Sequence, residues 1–222
     1  ASTDGTNEWL AKQHVRYSQH SSSQPYQSIS YTTSIPVATA WNLGCEVAKG
    51  EFIQILNDDM EVTEGWLEQQ KQLYDYLIAS GRKVGVLAAK LLRGDEVLSR
   101  GGAFRGIQLV PVPGPEEVKP VSYSNNPFMK RDLWKKAGGF TAHAHMYYED
   151  ADMGVKLLSM GYTNFYNPLS VLRHETRGFR PEHGEEQYKR RQYNESVIQD
   201  QARISFMKKW EQYLLTEHEN YY

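Results

Sequence analysis

Residues 50–59 read Gly-Glu-Phe-Ile-Gln-Ile-Leu-Asn-Asp-Asp, a short apolar run that stops abruptly in acid. Ile53, Ile55 and Leu56 favour an extended chain. Asn57, Asp58 and Asp59 end it. Open α/β sheets bind ligands at the carboxyl ends of their strands. An oxygen-rich cluster at such a place suits Mg²⁺ or Mn²⁺ carrying a phosphate. A polar turn accounts for the same three residues, because Asn and Asp are common turn formers. The choice between the two depends on what the rest of the chain brings to this strand end.

The chain has 222 residues, 40% of them hydrophobic, enough for one sizeable core and a helical appendage. Net charge is −2, with no basic run, which argues against nucleic acid as the main partner. Cys45 is the single cysteine, so no intrachain disulfide framework exists, and its apolar helical setting predicts a small buried thiol. No stretch of about 18 apolar residues predicts a membrane span, and no signal peptide is visible. The expectation is a cytoplasmic protein, in solution or peripheral at the cytoplasmic face of the membrane. The 15 tyrosines are in keeping with contacts to sugars or partners.

Periodicity predicts helices over 35–49, 64–80, 131–137, 149–161 and 188–217. Ser34 and Thr63 are the expected caps of the first two, and Gly50 and Gly81 their stops. Strands are predicted at 51–56, 84–92, 121–130, 162–166 and 169–174, with a hairpin or irregular strands over 96–110. Val84 to Leu92 is continuously apolar, as in a strand buried on both faces. The proline-rich stretch 111–120 and the polar stretch 175–187 read as loops. Helices alternating with apolar strands argue for an α/β fold. The apolar stripe of 197–214 is suited to packing on the sheet, or to a partner such as a second copy in a homodimer.

Besides Asn57-Asp58-Asp59, two further sites carry candidate chemistry. One is Glu149-Asp150 with Asp152. Acidic residues at a helix amino terminus are favoured by the dipole and by capping. A carboxylate placed after the aromatic Tyr147-Tyr148 pair is also partly desolvated, which raises its pKa toward the range of a general base. The other is His174 at the end of an apolar strand, either a structural histidine or a ligand. Arg177 and Arg180 follow it and suit either a solvated loop or a bidentate grip on a diphosphate. His143 and His145 rank as accessory or structural, since two histidines alone make a weak metal site.

The order of these pieces resembles the family 2 inverting glycosyltransferases, which have the GT-A nucleotide-diphospho-sugar transferase fold. Ser2-Thr3-Asp4-Gly5-Thr6 is similar to the end of that family's D-D-G-S-T-D-G-T segment. Trp41-Asn42-Leu43-Gly44, followed by Ala48-Lys49-Gly50-Glu51-Phe52-Ile53, resembles its R/W-N-x-G…A-x-G-E-Y-I run. Leu56-Asn57-Asp58-Asp59 resembles a variant of its D-x-D metal motif. Phe128-Met129-Lys130-Arg131 through Gly138-Gly139-Phe140 is similar to its acceptor-side segment, and Tyr148-Glu149-Asp150-Ala151-Asp152 to its E-D-x-D motif, with the family's following histidine at His174.

The resemblance covers residues 1 to about 180. It implies a GT-A-like mixed, mostly parallel sheet flanked by helices, with a C-terminal helical extension. The GT-A domain would span residues 1–180, lacking the family's first strand, and residues 181–222 would pack on that domain or on a partner. It implies a metal-dependent inverting transferase that moves one sugar from a nucleotide-diphospho-sugar donor to a hydroxyl of a glycan or lipid-linked acceptor. Asp59 would bind Mn²⁺ or Mg²⁺, and His174 would complete the metal or diphosphate site. Asp4, Asn42, Asn57, Asp58, Arg177 and Arg180 would face the nucleotide-sugar. Asp150 would be the base, and Glu149 and Asp152 would hold the acceptor or position the loop. Gly-Gly-Phe is followed here by Thr141-Ala142-His143-Ala144-His145 rather than Asp-Glu, so the loop before the base is altered. No Q-x-x-R-W motif of processive relatives is present, which favours single-sugar transfer. Two alternatives are a non-catalytic sugar-nucleotide-fold module used for binding or assembly, and a metal-dependent phosphoesterase.

Overall fold

The computed structural model describes residues 5, 6, 8–12, 29, 31, 33–110, 112, 114, 116–174 and 185–216, with the side chains of 185–188 and 191 excepted. The chain divides into two compact units, residues 1–36 and 37–222. In the first, residues 8–12 are helical and the Trp9 N–H donates to the Gly5 carbonyl at 3.0 Å.

The second unit runs α1 (Val37–Val47), β1 (Phe52–Gln54), β2 (Met60–Val62), α2 (Trp66–Ala79), β3 (Val84–Arg93), β4 (Glu96–Ser99), β5 (Ala103–Arg105) and β6 (Gln108–Val110). It continues β7 (Lys119–Val121), β8 (Phe128–Lys130), α3 (Arg131–Lys136), α4 (Glu149–Ser159), β9 (Thr163–His174) and α5 (Glu185–Thr216). The main sheet has the order β1-β8-β3-β9-β2, with β4 on β3 and β7 on β9, and β5 and β6 form a separate hairpin. It is a mixed α/β sheet flanked by helices, as expected. Its long β3/β9 ladder is parallel and the other described pairings are antiparallel, so the parallel share is smaller than the sequence implied.

β3 is the central strand. Val84 to Leu91 are buried throughout, because α2 covers one face and α1 and α4 cover the other. Val84 and Leu87 pack with Tyr74, Leu77, Phe128 and Phe165. Val86 packs with Met129, Met153, Leu157 and the α1 residues Ala38 and Cys45. Each buried Val, Leu, Phe or Met among these contributes about 1.5–3 kcal/mol. Cys45 is the buried thiol expected, its pKa pushed up to about 11 by desolvation.

Two local expectations are corrected. Thr63 does not cap α2. Its hydroxyl donates to the Val171 carbonyl at 2.7 Å, tying the helix entry to β9, while Gly65 at φ 72 takes the cap position. The two strands expected at 162–166 and 169–174 are one strand, β9, with a bulge. Pairing to β3 jumps from Ala89↔Asn167 to Lys90↔Val171, and Pro168, which has no N–H to give a ladder, lies in the excess residues.

α5 belongs to the same unit as the sheet. Ala202, Phe206 and Leu214 are buried, and Phe206 stacks on Phe104 with centroids 5.5 Å apart. The inner part of the apolar stripe is thus used within the unit, while Val197 and Ile204 stay exposed.

Candidate active site

Asp58 and Asp59 occupy the turn between β1 and β2, which the Met60 N–H closes by donating to the Asn57 carbonyl at 3.2 Å. The polar-turn and ligand-site readings therefore describe the same segment. β2 runs antiparallel to the end of β9, with Met60 opposite His174. That register sets Asp59 beside the imidazole, its Oδ1 3.0 Å from His174 Nε2. His174 Nδ1 is buried without a hydrogen-bond partner among the described residues.

Glu149 and Asp150 open α4. The helix lies close against the segment after β7: a Cβ on Gly154 would overlap the Ser122 carbonyl and Tyr123. One turn earlier, this approach brings Asp150 to Asn125, whose Nδ2 donates to Asp150 Oδ2 at 3.2 Å. Asp150 Oδ1 accepts the Ala151 N–H at 2.8 Å. The helix is entered through Tyr147 and Tyr148, both left-handed at φ 79 and 66. Two consecutive aromatic residues there are strained, and such strain concentrates at functional sites. Tyr148 is held against Phe206 of α5, centroids 5.0 Å apart.

Burial changes the proton affinities of both carboxyls. Desolvation raises Asp150 to about 6, against the opposing hydrogen bonds from Ala151 and Asn125. Desolvation, helped by the charge of Asp150, raises Glu149 to about 7. The capping alternative explains why acids stand at this helix start, yet capping by itself would lower their pKa values.

The turn after β1 and the start of α4 open on one cavity of about 1000 Å³. Its lining includes Asn57, Asp58, Asp59 and His174 from the sheet, and Asn125, Glu149 and Asp150 from the other side of the chain order. Sequence reading missed Asn125. The Asn125-Asn126 pair follows β7 without periodicity, and only tertiary structure places one amide on a carboxylate. It also missed the apolar lining residues Leu98, Leu109 and Met146.

Two further candidate residues make contacts within the fold. Asp152 does not face the cavity. It is fully buried, and its Oδ1 accepts from His143 Nε2 at 3.0 Å, Lys209 Nζ at 2.7 Å and Trp210 Nε1 at 2.7 Å. Lys156 Nζ stands 3.4 Å from Oδ2 while donating to the Gly139 carbonyl at 2.7 Å. Burial alone would raise Asp152, but these donors outweigh it and hold the carboxyl well below its usual range. Asp152 anchors α4 to α5 and, through His143, to the loop that precedes α4. Asn42 is likewise structural: its Oδ1 accepts from the Phe140 N–H at 2.8 Å and Trp134 Nε1 at 3.2 Å, and its Nδ2 donates to the Phe140 carbonyl at 2.9 Å. It fixes the Gly-Gly-Phe turn. Asp4, Arg177 and Arg180 lie outside the described residues. His143, bridging Asp152 and Ser205 (3.0 Å), is structural.

Among the described residues no group of three or more His, Cys, Asp or Glu is arranged around a metal. Asp59 and His174 are a pair. Such a pair fits a cation that draws its remaining ligands from a diphosphate and water, which is how small hard cations commonly bind. One imidazole and one carboxylate suit Mn²⁺ better than Mg²⁺, which prefers oxygen throughout. No helix among the described residues is long and apolar enough to cross a membrane.

No protein-family model matches the chain, and no curated protein matches it. Among solved structures it is similar to GalNAc-T7 with UDP, GalNAc and Mn²⁺, at TM-score 0.61 and 16% identity over 80% of this chain. The fold is GT-A-like. The chain spans 36% of the length of that glycosyltransferase. The GT-A-like sheet is therefore shown, with the Asp59–His174 pair at the end of one of its strands.

Proposed function

We propose that the chain is the catalytic part of a metal-dependent inverting glycosyltransferase that moves one sugar from a nucleotide-diphospho-sugar to an acceptor hydroxyl. One observation carries this reading: Asp59 with His174, and Asp150 with Glu149, line the same cavity although they come from distant parts of the sequence. The similar glycosyltransferase structure with UDP and Mn²⁺ supports the donor class and the metal.

Asp59 and His174 would hold the cation, with Asn57 and Asp58 beside it. When bound, the cation neutralises charge on the departing diphosphate. Asp150 is the base. Its two oxygens each accept one hydrogen bond from the protein, which fixes the carboxylate and leaves lone pairs for a hydroxyl proton. With its pKa near 6 it is ionised at neutral pH and still basic enough to take that proton. The acceptor oxygen forms its bond to the anomeric carbon as the bond to the diphosphate breaks. The electron pair leaves with the diphosphate, and the proton passes to Asp150. Glu149, buried beside the base with a pKa near 7, holds the acceptor hydroxyl. Retaining hydrolysis would need two carboxyl groups flanking one bond, whereas here one carboxylate is adjacent to His174 and takes the metal role.

Thermal shift with nucleoside diphosphates, with and without Mn²⁺, tests the donor site by ligand linkage. A rise in Tm that needs both components is expected. Asp150→Asn should keep that shift and lose transfer. Transfer at the wild-type rate by this variant would remove Asp150 from the role of base.

A further inference from the structure

Two strained residues lead into the base, and their side chains are used differently. Tyr147 and Tyr148 both have left-handed backbone, at φ 79 and 66, directly before Glu149 and Asp150. Glycine would take either position without that cost. The Tyr148 ring packs inside the fold, 5.0 Å from the ring of Phe206 and against the buried cluster of Phe104 and Val155. Tyr147 is half-buried and lines the cavity, as Glu149 and Asp150 do.

The neighbouring element is aromatic at the same cavity. The Val37 N–H at the start of α1 donates to the His145 carbonyl at 2.9 Å, which ties this helix to the segment that carries Tyr147. Val37 and Trp41, one turn apart on α1, both line the cavity. Trp41 is steadied by Phe140, with centroids 5.1 Å apart and the ring planes at 75°. The cavity thus offers aromatic side chains together with the carboxyls of Glu149 and Asp150.

That combination has a chemical counterpart. A pyranose has a face of C–H groups and a rim of hydroxyls. The C–H face is apolar, and its weakly positive hydrogens are attracted to the negative face of an aromatic ring. The rim hydroxyls donate well to carboxylates. A serine or threonine hydroxyl on a peptide has no such face, and an alkyl chain has no such rim. On the glycosyltransferase reading the donor diphosphate belongs to Asp59 and His174, whereas the acceptor hydroxyl must reach Asp150. Tyr147 stands on the segment of the base, so the ring it meets is the acceptor's.

Building on that reading, we propose that the acceptor is a saccharide and that Tyr147 binds it, its ring covering the C–H face of the pyranose whose hydroxyl Asp150 faces. The strained backbone then presents an aromatic ring to the acceptor where a glycine would present none.

The test follows binding to the full chain by saturation-transfer NMR. The probes are methyl β-glycosides of glucose, galactose and N-acetylglucosamine, with N-acetylserine methylamide as the hydroxyl that is not on a sugar. At least one glycoside should bind, with saturation strongest on the C–H protons of one ring face, and more tightly than N-acetylserine methylamide. Tyr147→Gly should weaken glycoside binding about fivefold or more. Tyr147→Phe keeps the ring and should retain binding. Stability separates this role from packing. Glycine suits the left-handed backbone, so Tyr147→Gly should keep a Tm close to wild type, whereas Tyr148→Gly loses the contact with Phe206 and should lower it. No binding of any glycoside, preference for N-acetylserine methylamide, binding indifferent to Tyr147→Gly, loss of binding in Tyr147→Phe, or a fall in Tm in Tyr147→Gly as large as in Tyr148→Gly would each overturn the proposal. The Mn²⁺-dependent shift with nucleoside diphosphates is measured alongside. Its presence with any of those results rejects the saccharide contact at Tyr147 alone, and its absence rejects the transferase reading instead.

Discussion

Asn125 reaches Asp150 across 3.2 Å with a polarity that only one arrangement permits. A carboxylate can only accept, so the amide presents its N–H₂ to Asp150 and its Oδ1 to the Ser99 hydroxyl at 2.6 Å. This hydrogen bond favours the charged form of Asp150 and opposes the desolvation that raises it to about 6.

Removing that donor should therefore raise the Asp150 pKa further. Asn125→Ala is expected to move the acid limb of the kcat/KM profile upward by about one pH unit. Ser99→Ala, which only loosens the amide, should move it less. The measurement is the pH-rate profile of transfer, and an unchanged acid limb in Asn125→Ala would show that this contact does not tune the base.

The same pair of raised carboxyls makes a statement about stability. Asp150 and Glu149 bind protons more tightly folded than unfolded, where carboxyls titrate near about 4. Their contribution is full below that value and is lost as pH rises through about 6 for Asp150 and about 7 for Glu149. Asp150→Asn should consequently be more stable than wild type at pH 8, by on the order of 1 kcal/mol, and equal to it near about pH 4. Calorimetry at the two pH values checks this, and destabilisation of the variant at pH 8 would contradict it.

Asp152 has the opposite sign. Its depressed pKa supplies stability above the unfolded value near about 3.9, which is lost as pH falls toward the folded value. Asp152→Ala leaves Lys209, Trp210 and His143 without their shared acceptor and should cost about 3–5 kcal/mol at pH 7. Wild-type stability should fall steeply below about pH 4, and the variant's profile should be flatter there. Denaturant unfolding across pH reads both quantities.

The Asp59–His174 pair predicts metal selectivity. His174→Ala and Asp59→Ala should each abolish most of the Mn²⁺-dependent gain in Tm with a nucleoside diphosphate, and Mn²⁺ should outperform Mg²⁺ in wild type. Equal responses to the two ions in wild type would point to an all-oxygen site elsewhere.

Much of this was legible in the sequence because it was local. The burial of Val84 to Leu91, the acid-rich turn at Asp58 and Asp59 and the helix start at Glu149 each follow from residue type and spacing. What escaped was set by long-range pairing. Asp150 and Asp152 are two residues apart at the same helix start and have the same charge, yet one faces a cavity and the other a buried cluster. Nothing in the E-D-A-D tetrapeptide distinguishes them. The difference comes from Lys209 and Trp210, which lie 57 and 58 residues away on α5. The contacts of Asn42 were hidden for the same reason: its partners on Trp134 and Phe140 become visible only once α1 meets α3 and the turn after it.

The anchoring of Asp152 on α5 has a practical corollary for anyone trimming this protein. A shortened version that stopped ahead of Phe206 would still contain every carboxylate discussed above. It would nevertheless drop the ring that braces Tyr148 and both donors that clamp the first turn of α4. Motif content alone would then be a poor guide to whether such a fragment works.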